Sequence, residues 1–183
     1  MKKQAGFTLI ELAIVLVIIG LLLGGVLKGQ ELINSAKVKN MATDFKNIQV
    51  YVYGYQDKFK ALPGDDRAVA THLGAAASVA AGSQNGVIDG AWDTVTNTDE
   101  SCLFWQHVRL AGLAPGTTTV DCATAGSTYL QRNADGGRVG IQSLTGFTTI
   151  TGPTTPMTGA FVICSAGILG KFATQLDLSL IHI

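Results

Sequence analysis

Proline is absent from the first 62 residues of the 183-residue chain, and no charged side chain occurs from Leu12 to Leu27. Nothing in that stretch interrupts the backbone ladder, so one helix can run from Phe7 to about Phe59, on the order of 80 Å at 1.5 Å per residue. Charge is scarce overall, at 14% of residues against 47% hydrophobic, and much of that imbalance is local to the N-terminal run. Cysteine is sparse too. Cys102, Cys122 and Cys164 have no CxxC spacing, which excludes a zinc ribbon or a thioredoxin-type motif. There is no phosphate-cradling glycine loop and no Ser or Cys nucleophile motif, so no enzymatic activity and no metal centre are expected. His72 and His107 lie on expected helices with no second ligand in register. Asp65 and Asp66, adjacent at a helix start, read as capping residues rather than a catalytic pair.

What the chain does have is a 21-residue run from Phe7 to Leu27 interrupted only by Thr8 and Glu11, long enough to cross a hydrocarbon core as a helix. A carboxylate at the centre of a bilayer costs about 2.5 to 3.5 kcal/mol on insertion scales and less toward the edge, so Glu11 calls for a compensating partner. Ahead of the run lies a short positive leader, Met1-Lys2-Lys3-Gln4-Ala5-Gly6. In a secretory signal the small cleavage-site residue follows the apolar stretch. Here Gly6 precedes it, so a cut after Gly6 would leave the hydrophobic helix on the mature protein. Charge bias does not orient the span, because Lys28, Lys37 and Lys39 on the far side match Lys2, Lys3 and the initiating amine.

Gly6-Phe7-Thr8-Leu9-Ile10-Glu11 followed by an uncharged run resembles the class III signal of type IV pilins and type II secretion pseudopilins. The resemblance implies cleavage after Gly6 by a prepilin peptidase and N-methylation of the new terminus at Phe7. It also implies that Glu11 is the assembly residue, paired with the terminal amine of a neighbouring subunit. A cation supplied by the next subunit is the kind of partner a carboxylate in an apolar setting requires. Many members of the family carry a proline about twenty residues into this helix. Gly20, Gly24, Gly25 and Gly29 stand here instead, and they read equally as sites of close helix approach and as ordinary transmembrane composition.

Past Lys28 the helix becomes amphipathic, with Val38, Met41, Phe45, Ile48, Val52, Tyr55 and Phe59 spaced by three and four residues. That stripe is the expected surface for a head domain, the lysines facing outward, and Leu62-Pro63-Gly64-Asp65 ends the helix in a type II turn. In the head, Asp65 is expected to cap a short helix, "DRAVATHL", and Thr98-Asp99-Glu100 to open another, "SCLFWQHVRLA", that ends at Gly112. Strands are expected in "TTTV", "GRVGIQSL", "GFTTIT" and "GAFVICSA". The fold class is therefore α+β, a long helix on a small antiparallel sheet, the pilin-like layout that the resemblance implies. The stem from Lys28 to Lys60 carries six lysines against three acids, and Ala61 to Asp177 five basic residues against nine acids. An acidic head argues against nucleic acid as a partner.

Some pseudopilin heads bind calcium, and Asn85-Gly86-Val87-Ile88-Asp89 resembles half of an EF-hand loop. Ala81, Ser83 and Trp92 stand where ligands would be needed. A turn before a strand is the stronger reading, with Asp65, Asp66 and Asp93 the acids that a calcium site would draw on. Three cysteines allow three single bridges. The favoured one is Cys102 with Cys164, both on core-facing elements. Leu178-Ser179-Leu180-Ile181-His182-Ile183 matches the translation of a transposase sequencing adapter and is read as an artefact. The expected organisation is thus a leader at 1–6, a transmembrane and stem helix at 7–60, a head at 61–177 and the tail at 178–183. The expected function is a filament subunit, held in the inner membrane with a periplasmic head before assembly alongside copies of itself and related pilins. The alternatives are a secretion pseudopilin and a membrane-anchored periplasmic module binding a ligand or calcium.

Overall fold

The computed structural model describes residues 8–80, 82, 84–145 and 159–180. Helix α1 spans Leu9–Phe59 as one element of 51 residues, as the missing proline allows. It ends where Lys60 turns left-handed at φ 55° and donates its N–H to the Gln56 carbonyl. Gly64 follows at φ +96°, the conformation that the third position of a type II turn demands. A Cβ there would sit 2.5 Å from the Glu100 carbonyl oxygen, so the turn packs directly on the start of the next long helix. The first half of α1 is long and apolar enough to cross a membrane, and none of its most apolar 18-residue window is buried by the described residues.

Beyond α1 come α2 (Val69–Leu73), α3 (Glu100–Leu110), β1 (Val139–Ser143), β2 (Phe161–Ser165) and α4 (Gly170–Leu180). The two strands pair antiparallel with Ile141 opposite Ile163. Helix α3 is the centre of the head, with Glu100 through Arg109 all buried. One core joins Ile48 and Val52 of α1, Phe104, Trp105 and Val108 of α3, and Val139 and Ile141 of β1, with Ile88, Tyr129 and Leu130 from the loops. The segment before α3 runs close along β1: the Trp92 N–H donates to Gln142 Oε1 at 2.8 Å. A Cβ on Gly140 would lie 2.1 Å from the Trp92 carbonyl oxygen, so only glycine fits there. The architecture is α+β and pilin-like, a long N-terminal helix with a small two-stranded antiparallel sheet.

The amphipathic stripe of α1 serves two partners rather than one. Ile48 and Val52 enter the main core, whereas Val38, Met41 and Ala42 pack with Phe172 and Leu176 of α4 in a separate cluster. Helix α4 was not expected from the sequence, and it includes Leu178, Ser179 and Leu180 of the tail read as an artefact. Most stem lysines face outward, but Lys37 is half-buried and pairs with Asp135 at 2.7 Å.

Several other expectations are corrected. The short helix is only five residues long, with Ala68 at its N-cap and no side-chain cap from Asp65. "TTTV" is irregular rather than a strand, and "GFTTIT" lies outside the described residues. The bridge is Cys102–Cys122, not Cys102–Cys164. The loop after α3 folds back over the helix start rather than out into solvent, bringing the two Cα atoms to 6.2 Å with Cys122 1% exposed. Its backbone is fixed there by the Cys122 N–H donating to Asn97 Oδ1 at 2.7 Å. Closing a loop of sequence separation 20 stabilises the fold by about 3 kcal/mol in the chain-entropy account. Cys164 is left as a half-buried free thiol on β2, its pKa pushed up to about 11 by burial and then by the nearby Asp93.

Candidate functional site

Thr8 is the N-cap of α1, extended at φ −80° and ψ 151°, and it forms a reciprocal capping box with Glu11. The Thr8 N–H donates to Glu11 Oε2 at 2.8 Å and its hydroxyl donates to the same oxygen at 2.7 Å, while the Glu11 N–H lies 3.3 Å from Thr8 Oγ1. Thr-x-x-Glu before an apolar run is a recognised signature of this cap. The pairing of Thr8 with Glu11 is therefore legible in the sequence. Oε1 makes no hydrogen bond among the described residues, and Glu11 is exposed. The carboxylate is thus held by its own chain through one oxygen and presents the other outward. Gly6 and Phe7, the expected cleavage and methylation positions, lie outside the described residues.

Around Glu11 the helix offers only hydrocarbon. Leu9 is 88% exposed and Leu16 69%, and a Cβ at Gly20, Gly24, Gly25 or Gly29 would meet nothing within 4 Å. These faces have no partner within the described residues, and burying apolar area against neighbours is their available source of stability outside a lipid phase.

The head is tied to the stem by polar contacts. Asp66, fully buried, accepts from the Tyr55 hydroxyl at 2.7 Å and the Ala68 N–H at 2.9 Å, and meets His72 Nδ1 at 2.6 Å. Asp65 gathers the loop at Gln84, Asn85 and Gly86, whose N–H groups all point at its carboxylate, the latter two at 3.1 and 2.8 Å. Both acids therefore hold hydrogen-bond donors, and they do not converge with Asp93. Among the described residues no three His, Cys, Asp or Glu side chains gather into a metal-binding group.

Arg109 organises the loop after α3. It donates to the carbonyls of Pro115, Thr117 and Tyr129 at 3.1, 3.1 and 2.8 Å and lies over the Tyr129 ring at 5.0 Å. Burial lowers its pKa, and these contacts satisfy the guanidinium without a carboxylate. Asn133 plays a similar part between β1 and β2. Its Oδ1 accepts from the Asp135 and Gly137 N–H groups, and its Nδ2 donates to the Ala166 carbonyl at 2.7 Å. Neither residue stood out in the sequence, because their partners are loop carbonyls and amides that no local pattern announces.

Residues 1–27 match the family model described as the prokaryotic N-terminal methylation motif, the type IV pilin and pseudopilin signal. No curated protein and no solved structure matches the chain.

Proposed function

From a chain that carries a type IV pilin and pseudopilin signal on a long apolar helix, we propose a structural subunit of a type IV pilus-like filament. On this reading prepilin peptidase cuts after Gly6, Phe7 becomes the methylated N-terminus, and the apolar half of α1 holds the subunit in the inner membrane with its head in the periplasm. Leu9 to Leu27 rises about 29 Å, close to the thickness of a hydrocarbon core. Glu11 then sits within a turn of one membrane face. The observation that carries the reading is that carboxylate: it heads the apolar half of α1, and among the described residues its side-chain hydrogen bonds come from Thr8 alone.

Thr8 supplies two hydrogen bonds but no charge. A cationic N-terminal amine from a neighbouring subunit, placed against the outward oxygen, would compensate the carboxylate as filaments form, and the bare helix faces would pack on neighbouring helices at the same step. The same motif supports a secretion pseudopilin, whose filament uses the same chemistry.

Mass spectrometry of the mature protein isolated from membranes tests the reading. The expected N-terminal peptide begins with N-methyl-Phe7. An intact Met1, or a terminus beyond Leu27, would exclude the assignment.

A further inference from the structure

Asn85-Gly86 is the single Asn-Gly pair in the sequence, and it lies exposed in the loop that Asp65 gathers. Four contacts converge on it. The Asn85 N–H donates to Asp65 Oδ1 at 3.1 Å. The Gly86 N–H donates to Asp65 Oδ2 at 2.8 Å, the Val87 N–H donates to Asn85 Oδ1 at 3.0 Å, and Asn85 Nδ2 donates to Asp89 Oδ2 at 2.6 Å. Gly86 has φ +83° and open space where a Cβ would stand, so no side chain hinders its nitrogen. A cleft of about 380 Å³ lined by Gln56, Lys60, Leu62, Asp65, Gln84 and Gly86 leaves the same place open to solvent.

We propose that Asn85 is a self-modification site, at which the Gly86 nitrogen closes onto Asn85 Cγ and converts the side-chain amide first to a succinimide and then to aspartate or isoaspartate. The bond from Gly86 N to Asn85 Cγ forms and the bond from Cγ to Nδ2 breaks. The Gly86 proton passes to Asp65 Oδ2, the base already in contact with it, and a proton returned through water lets Nδ2 leave as ammonia. Negative charge on Oδ1 during attack meets the Val87 N–H, a donor fixed in place beforehand. Water then opens either side of the imide. No oxidant or cofactor enters the balance.

The product changes the loop. A carboxylate replaces the amide that had donated to Asp89, setting two acids face to face, and isoaspartate lengthens the backbone between residues 85 and 86. Either change loosens the set of N–H groups gathered on Asp65.

The test follows the Asn85 peptide by mass spectrometry, with isoaspartate detection, in full-length protein held in detergent micelles at neutral pH. The expected result is exchange of NH2 for OH at Asn85 about tenfold faster in the folded chain than in the same chain unfolded in urea. Asp65→Asn should slow the folded reaction about tenfold. Gly86→Ala, which keeps Asp65, should slow it as well, with near-ultraviolet circular dichroism confirming that each variant folds. A folded rate equal to or below the unfolded rate overturns the proposal, and this comparison holds whether or not the Asp65 variant folds. Faster modification in Asp65→Asn also overturns it, since the carboxylate would then be restraining the loop rather than taking a proton.

Discussion

At His107 both ring nitrogens are committed to backbone. Nδ1 accepts the Gly64 N–H at 2.9 Å and Nε2 lies 2.8 Å from the Ser78 carbonyl, so the ring must be neutral with its proton on Nε2. Burial pushes its pKa below the ordinary value of 6.5, against smaller opposing effects of the Ser78 carbonyl and Asp66. Between that lowered value and 6.5 the unfolded chain takes a proton that the folded chain refuses. The head is therefore fully stable, as far as His107 decides, above about pH 6.5, and loses stability as pH falls toward the folded pKa. The slope cannot exceed about 1.4 kcal/mol per pH unit for one group. His107→Gln offers an acceptor and a donor in place of the ring without titrating, so thermal melts from about pH 7 to about pH 5 should fall less steeply in the variant. Parallel profiles would show that the ring senses no proton. In the sequence His107 was merely a helical position without a ligand. Its partners lie 43 and 29 residues away, beyond any periodicity.

Among the elements, α4 is the most separable. Phe172 and Leu176, 2% and 6% exposed, pack on Val38, Met41 and Ala42 apart from the main core. Removing the ring in Phe172→Ala should cost about 3 to 5 kcal/mol locally. Hydrogen exchange should then quicken over 170–176 and 38–45 while α3 keeps its protection, as expected for a unit that opens by itself. Equal loss of protection in α3 would mean that both clusters unfold together. Legibility also varied by element. The stem, α3 and both strands could be read because apolar spacing reports burial directly. Helix α4 was not legible although Ile168, Phe172 and Leu176 repeat every four residues, because three apolar positions fall short of the window over which a helical period is distinct. The disulfide was missed because the loop around Cys122 looks polar in composition, and its return over α3 is decided by Asn97 and the packing of Val120. The capping box at Thr8 and Glu11 was there to be read.

On the scale of the whole molecule, the proposed function asks the chain to keep two tasks apart: residues 9–27 would enter lipid or pack on neighbouring helices, while the head closes on the far end of α1. Glu11→Ala should accordingly leave membrane insertion, cleavage after Gly6 and the thermal melt of the head unchanged, yet prevent entry into filaments, and Glu11→Leu should do the same. Wild-type yield of sheared fibres from either variant would remove the carboxylate from assembly. The head's hold on α1 begins at Lys37, paired with Asp135, and Val38, so the stretch from Leu9 to Ala36 projects about 41 Å with no ion pair or core contact to the head among the described residues. Treated as a lever with its fulcrum at Val38, a tilt of only about 5° sweeps the tip through about 4 Å, close to the spacing of adjacent side chains on a helix surface. The head therefore cannot aim Glu11 at one particular neighbour. In the proposed filament, alignment at the tip would belong to the medium gripping the lever along its length, so that subunits with quite different heads could share one axis.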